Sequence, residues 1–157
     1  MDMTYSSETE REREQFFKEF EAKVNEKVNG LELAEFRADS SICKELNLNT
    51  YRPSIWGLLV FCEKNVYYYV APQESYMSFF TKGAGRTEEK LLHISQFSDI
   101  KFALPQKRLL SFLNPEISRS ILMSYKNLSG LERNVTLVLN SKADDIFIKL
   151  NKYTELN

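Results

Sequence analysis

The sequence lacks the side chains that most catalytic and metal sites require. Its 157 residues include one histidine, His93, so two histidines cannot share a metal ion or a proton relay. The two cysteines, Cys43 and Cys62, match no metal-ligand spacing, which predicts free thiols in a reducing compartment. Asp144 and Asp145 are adjacent, so on a helix they would point about 100° apart and could not act as an acid–base pair. We therefore expect no enzyme, no cofactor, no metal and no small-molecule substrate.

The sequence also lacks an excess of charge and a long hydrophobic run. It has 21 basic and 22 acidic residues and a net charge of −1, so no global field attracts it to nucleic acid or to an anionic membrane. The longest apolar run, residues 55–62, is far shorter than the roughly 20 residues of a membrane-spanning helix. Residues 1–15 contain no apolar core of a secretory signal. These absences predict a cytoplasmic protein that does not bind nucleic acid.

The first element predicted by the pattern is a helix over residues 7–28. Its apolar residues recur at helical spacing and form one stripe: Phe17, Phe20, Val24 and Val28. The dipeptide Asn29-Gly30 then predicts the end of the helix. Such a stripe either docks on the chain's own domain or forms an interface with a second copy or another protein.

The composition changes near Pro53, and this change sets the predicted domain organisation. Residues 31–52 give a mixed pattern, which we interpret as a connector with some helical turns. We therefore predict a helical N-terminal extension and connector over residues 1–52 and the main domain over residues 53–157.

The main domain shows strand patterns followed by one helix. Seven strands are predicted from runs of strand formers that turn signals separate: residues 55–62, 66–71, 74–80, 90–94, 99–104, 118–126 and 132–140. A helix follows from Ser141, with an apolar face of Ile146, Phe147, Leu150 and Tyr153.

Three consecutive tyrosines lie in the second of these strands. Because adjacent strand residues face opposite ways, we expect Tyr68 on one face of the sheet and Tyr67 and Tyr69 on the other. A platform that stacks nucleic-acid bases is the alternative, but the chain has no basic excess to support it.

The element order and residues 91–100 resemble the pleckstrin-homology-like family, including bacterial GRAM-type domains. Residues 91–100 read as a buried strand, a turn, an acidic residue and a second buried strand. The resemblance covers about residues 54–155 and implies an α+β fold, a seven-stranded antiparallel β-barrel capped by a C-terminal helix. Members that bind phosphoinositides carry several basic residues along the first hairpin, where this sequence has Lys64 beside Glu63. The family's helix often carries a plugging tryptophan, whose place Phe147 would take.

Two segments are candidates for contact with a partner or a membrane. Residues 81–87 form a glycine-containing loop with two cations, and residues 106–115 combine two cations with large apolar side chains. The second segment is either a short helix on the barrel or an exposed loop that enters a partner or a membrane. The candidate contact residues are Lys82, Arg86, Lys101, Lys107, Arg108, Leu109, Leu110, Phe112 and Arg119.

These observations favour a non-catalytic binding module. Protein–protein interaction, with an unknown partner or a second copy, is the leading hypothesis, through the N-terminal helix, exposed strand edges or both. The alternative is peripheral binding to anionic lipid through the basic and apolar loop.

Overall fold

The computed structural model describes residues 3–48, 54–71, 89–106 and 114–155. The helices are α1 (Met3–Val24), α2 (Ser40–Glu45) and α3 (Asp144–Glu155). The strands are β1 (Val28–Arg37), β2 (Ser54–Cys62), β3 (Val66–Val70), β4 (Lys90–Leu92), β5 (Ser98–Ala103), β6 (Ser120–Lys126) and β7 (Glu132–Leu139). Short 3₁₀ helices cover Ile94–Gln96 and Pro115–Arg119. The predicted strand at residues 74–80 lies outside the described residues.

The seven strands form one antiparallel sheet in the order β4-β3-β2-β1-β7-β6-β5. The predicted α+β class, with a seven-stranded antiparallel sheet and a C-terminal helix, is therefore confirmed. The predicted closure into a barrel is wrong, because β4 and β5 are the two edges and no ladder joins them within the described chain. β4 has three residues, and the 3₁₀ helix Ile94–Gln96 interrupts the extended backbone that a closing ladder would need.

The N-terminal boundaries differ from the sequence prediction. Helix α1 ends at Val24 because Asn25 adopts a left-handed conformation (φ 57°), so the predicted helix end at residue 28 is wrong. Val28 instead begins β1, which pairs with β2 on one side and β7 on the other. Both faces of β1 are covered, so its apolar residues do not show the alternation that identifies a half-exposed strand. Within the described residues 31–48, α2 matches the expected helical turns, and the sheet contains strands from both sides of residue 53.

Two hydrophobic clusters lie on opposite faces of the sheet. The larger is covered by α3 and includes Phe36, Tyr68 and Leu150. The smaller lies under α1 and includes Tyr67 and Tyr69. The predicted alternation of the three tyrosines is confirmed. All three are buried, Tyr68 in the larger cluster and Tyr67 and Tyr69 under helix α1.

Tyr68 is packed directly over a glycine. Its hydroxyl lies 2.8 Å from the Ala34 carbonyl oxygen and 2.9 Å from that of Ile55, and its single proton can be donated to either. A Cβ atom placed on Gly57 would lie 2.7 Å from Tyr68 Cζ and 2.7 Å from the Tyr69 carbonyl oxygen. Gly57 is therefore required by the close approach of the tyrosine ring.

Helix α3 starts three residues after the predicted cap and packs through the predicted face. Ile146 and Leu150 are buried in the larger cluster, and Phe147 and Tyr153 pack against it while partly exposed. The Tyr153 hydroxyl donates a hydrogen bond to the Cys62 carbonyl oxygen, which ties the end of α3 to the end of β2. In the described parts of the chain, no helix has both the length and the hydrophobicity to cross a membrane.

Candidate functional site

Most of the predicted contact residues lie outside the described residues: Lys82, Arg86, Lys107, Arg108, Leu109, Leu110 and Phe112. Lys101 is exposed on β5, opposite Ser124 of β6. Arg119 precedes β6, and its Nη1 donates a hydrogen bond to the Leu139 carbonyl oxygen at 3.2 Å. Ser124, the residue opposite Lys101, is five positions after Arg119, and five residues of extended chain span about 17 Å. Arg119 and Lys101 therefore do not form one basic cluster.

The apolar stripe of α1 faces the chain's own sheet. Phe20 is 2% exposed and its ring centroid lies 5.6 Å from that of Tyr67 and 5.7 Å from that of Tyr69. Phe16, which the sequence analysis did not include, is 3% exposed and lies 5.4 Å from Tyr69. Phe17 and Val24 are half-buried, and Val28 belongs to β1.

A hydrogen-bonded network joins the turn after α1 to the β2–β3 hairpin. The Glu26 carboxylate accepts hydrogen bonds from the Tyr67 hydroxyl (2.6 Å), the Asn65 side chain (2.9 Å) and the backbone amides of Lys64 (2.8 Å) and Asn65 (3.1 Å). Burial raises the pKa of Glu26, but these bonds together lower it more, so its pKa lies below the usual value. The network holds the N-terminal helix in register with the sheet.

The isolated histidine and the thiols are in unreactive surroundings. The His93 ring lies 4.5 Å from that of Tyr67, its Nε2 is buried without a hydrogen-bond partner in the described chain, and burial lowers its pKa. Burial raises the pKa of Cys43 and raises that of Cys62 to about 12, so neither thiol is a ready nucleophile at neutral pH. No group of three or more metal-ligating side chains occurs within the described ranges.

Two leucines are exposed at the turn between β6 and β7. We call residues 127–131 the leucine turn, in which Leu128 is 109% exposed and Leu131 is 56% exposed. Asn127 fixes this turn: its Oδ1 accepts from the backbone amides of Ser129 (3.0 Å) and Leu131 (2.9 Å). The Asn127 Nδ2 donates to Glu45 of α2 at 2.6 Å.

The basic side chains that flank the leucine turn are paired with acids. Arg133 Nε lies 2.8 Å from Glu45, and Lys126 Nζ lies 3.3 Å from Asp99. The hydrogen bond from Asn127 and the ion pair with Arg133 lower the pKa of Glu45, so it is ionised at neutral pH. The turn thus presents apolar side chains in a surrounding of nearly balanced charge.

A cleft of about 320 Å³ lies at the start of β1, between this strand and α3. We call it the α3 cleft; it is lined by Asn29, Gly30, Phe61, Glu63, Lys149, Lys152 and Tyr153. Asn29 is an extra residue in the β1–β2 ladder, since Val28 pairs with Cys62 and Gly30 with Phe61. This bulge and the missing side chain of Gly30 leave the space open.

Comparison of the chain with protein-family models, curated proteins and solved structures found no match. The fold and the local geometry are therefore the basis for any functional conclusion.

Neither the leucine turn nor the α3 cleft was identified from the sequence. The sequence pattern indicates only a turn between the predicted strands at residues 118–126 and 132–140, although the two leucines in so short a turn are an available signal of a contact surface. The cleft had no such signal, because it depends on a bulge in a strand that the pattern did not show.

Proposed function

We propose that this chain is a non-catalytic binding module that recognises another protein through the leucine turn. The observation that carries the proposal is the complete exposure of Leu128 on a turn held by the hydrogen bonds of Asn127. A leucine on a fixed turn loses little backbone freedom on binding, so most of the free energy of its burial is available for affinity.

The charges around the turn favour a protein partner over an anionic membrane. Each cation near an anionic membrane surface contributes about 1 kcal/mol to the free energy of membrane binding. Arg133 and Lys126, however, each lie beside a carboxylate. A protein groove needs no such excess of positive charge and gains from burying apolar side chains.

The element order of the module, but not its open sheet, agrees with a pleckstrin-homology-like architecture. Seven antiparallel strands followed by a C-terminal helix correspond to the order of that family, although the set of strands differs from the one predicted, with β1 supplied by residues 28–37.

The proposal is tested with a double variant and a matched control. Leu128→Ser with Leu131→Ser removes the apolar turn, and Ile148→Ser removes a leucine-sized side chain that is 55% exposed on α3. Each protein is used to capture partners from a lysate, and a candidate is then purified and its affinity is measured by calorimetry.

We expect the turn variant to weaken binding by about tenfold or more, since burying one leucine contributes about 1.5–3 kcal/mol, and the control to bind normally. Equal binding by all three proteins would refute the role of the turn. Binding to anionic vesicles that salt abolishes, with no protein partner, would instead establish the membrane alternative.

A further inference from the structure

We propose that the α3 cleft binds a small monoanionic carboxylate with an apolar body, such as an aryl or medium-chain aliphatic acid. The proposal is separate from the leucine turn, because the cleft lies at the start of β1 whereas the turn contacts α2, which follows the end of β1.

The apolar part of the cleft is fixed by two aromatic rings. The Tyr153 ring is anchored by the hydrogen bond from its hydroxyl to the Cys62 carbonyl oxygen, and its centroid lies 6.0 Å from that of the buried Phe61. The side chains that form this wall are therefore already in place before a ligand arrives, which reduces the entropy lost on binding. The volume of about 320 Å³ is at the lower end of the range for small-molecule sites.

The charged part of the cleft selects the head group. Lys149 and Lys152 are three residues apart on α3, so both lie on the side of the helix that borders the cleft. Lys149 Nζ is 5.4 Å from the Phe61 ring centroid, which places one ammonium group beside the apolar wall.

A single acidic residue limits the charge of the ligand. Glu63 borders the same cleft, so the lining carries two positive charges and one negative charge. One carboxylate of the ligand, placed near the two lysines, would neutralise the remaining positive charge of the lining. A dianion such as phosphate lacks the apolar body and would add a second negative charge near Glu63.

A larger side chain at Gly30 can fill the cleft without a steric clash. A Cβ atom added there meets no atom within 4 Å, and among the described glycines only Gly130 has a positive φ. Gly30→Leu therefore places a side chain in or at the mouth of the cleft without backbone strain.

The test is a titration of the ¹⁵N-labelled protein, followed by NMR, with 2-naphthoate, decanoate, 2-naphthylmethanol and inorganic phosphate. We expect shifts of the Asn29, Gly30 and Glu63 amides with one or both carboxylates; the tighter of the two identifies the body that the cleft accepts. The uncharged alcohol and phosphate should bind at least fivefold more weakly.

Two variants and one control decide whether the shifts come from this cleft. Gly30→Leu and the double variant Lys149→Gln with Lys152→Gln should each raise the dissociation constant at least fivefold. Lys142→Gln, an exposed lysine outside the cleft lining, should leave it unchanged. Equal binding of phosphate, equal binding of the alcohol, no shifts with either acid, or unchanged affinity in Gly30→Leu would each overturn the proposal.

Discussion

Replacing Gly57 with alanine should destabilise the protein far more than the same change at Gly30. Both glycines lie in adjacent strands of the same sheet, at the β1–β2 interface. The new methyl group at position 57 would approach Tyr68 Cζ and the Tyr69 carbonyl oxygen to 2.7 Å each, whereas at position 30 it would meet nothing within 4 Å. The comparison isolates the contact with the tyrosine from the general effect of a glycine-to-alanine change.

The expected magnitude follows from three contributions. Overpacking a buried site costs about 1–3 kcal/mol, and the Tyr69 carbonyl is backbone in a paired strand and cannot easily move. If the Tyr68 ring shifts instead, its hydroxyl loses its position against the Ala34 and Ile55 carbonyls, at about 1 kcal/mol. Alanine also reduces the conformational entropy of the unfolded chain, which offsets about 0.4–1 kcal/mol of this loss in stability. The net expectation for Gly57→Ala is a loss of about 2 kcal/mol.

The assay is equilibrium unfolding in urea, supported by thermal melts. Gly57→Ala should lower Tm by about 4–8 °C, since 1 kcal/mol corresponds to about 2–4 °C in a chain of this size. Gly30→Ala should remain within about 0.5 kcal/mol of the starting protein. If the two variants differ by less than about 1 kcal/mol, the reasoning about Tyr68 and Gly57 is refuted.

Two further predictions concern the packing of α1 on the sheet and the histidine. Phe20→Ala should cost about 3 kcal/mol and accelerate amide exchange throughout α1, while the exposed Lys18→Ala should do neither; equal exchange in both variants would contradict docking through Phe20. Because burial lowers the folded-state pKa of His93, the unfolded chain binds more protons below pH about 6.5, and stability should fall as the pH decreases from about 7 to 5. His93→Gln should flatten the curve in this range, since no other side chain in the sequence has an ordinary pKa there; an unchanged slope would contradict the assignment.

The strands that form local hairpins could be predicted from the sequence. The β2–β3 and β6–β7 pairs are joined by short turns that contain asparagine, and α3 has a clear apolar face, so local patterns were sufficient. β1 was missed because Leu31 and Leu33 pack under α1 while Ala34 and Phe36 pack in the larger cluster, which removes the alternation. The α3 cleft depends on this strand and on a bulge within it, so it could not be located without the tertiary structure.

The central position of β1 has a consequence for how the chain folds during synthesis. Its pairing with β2 joins residues at most a few tens of positions apart, but its pairing with β7 joins Arg37 to Thr136 and Ala34 to Leu139, about 100 positions apart. The β1–β2–β3 unit can form on the ribosome while one edge of β1 stays unpaired until β7 emerges. Such long-range pairing slows folding. The nascent protein therefore exposes an unpaired strand edge during translation, the state in which association with other chains is most favourable.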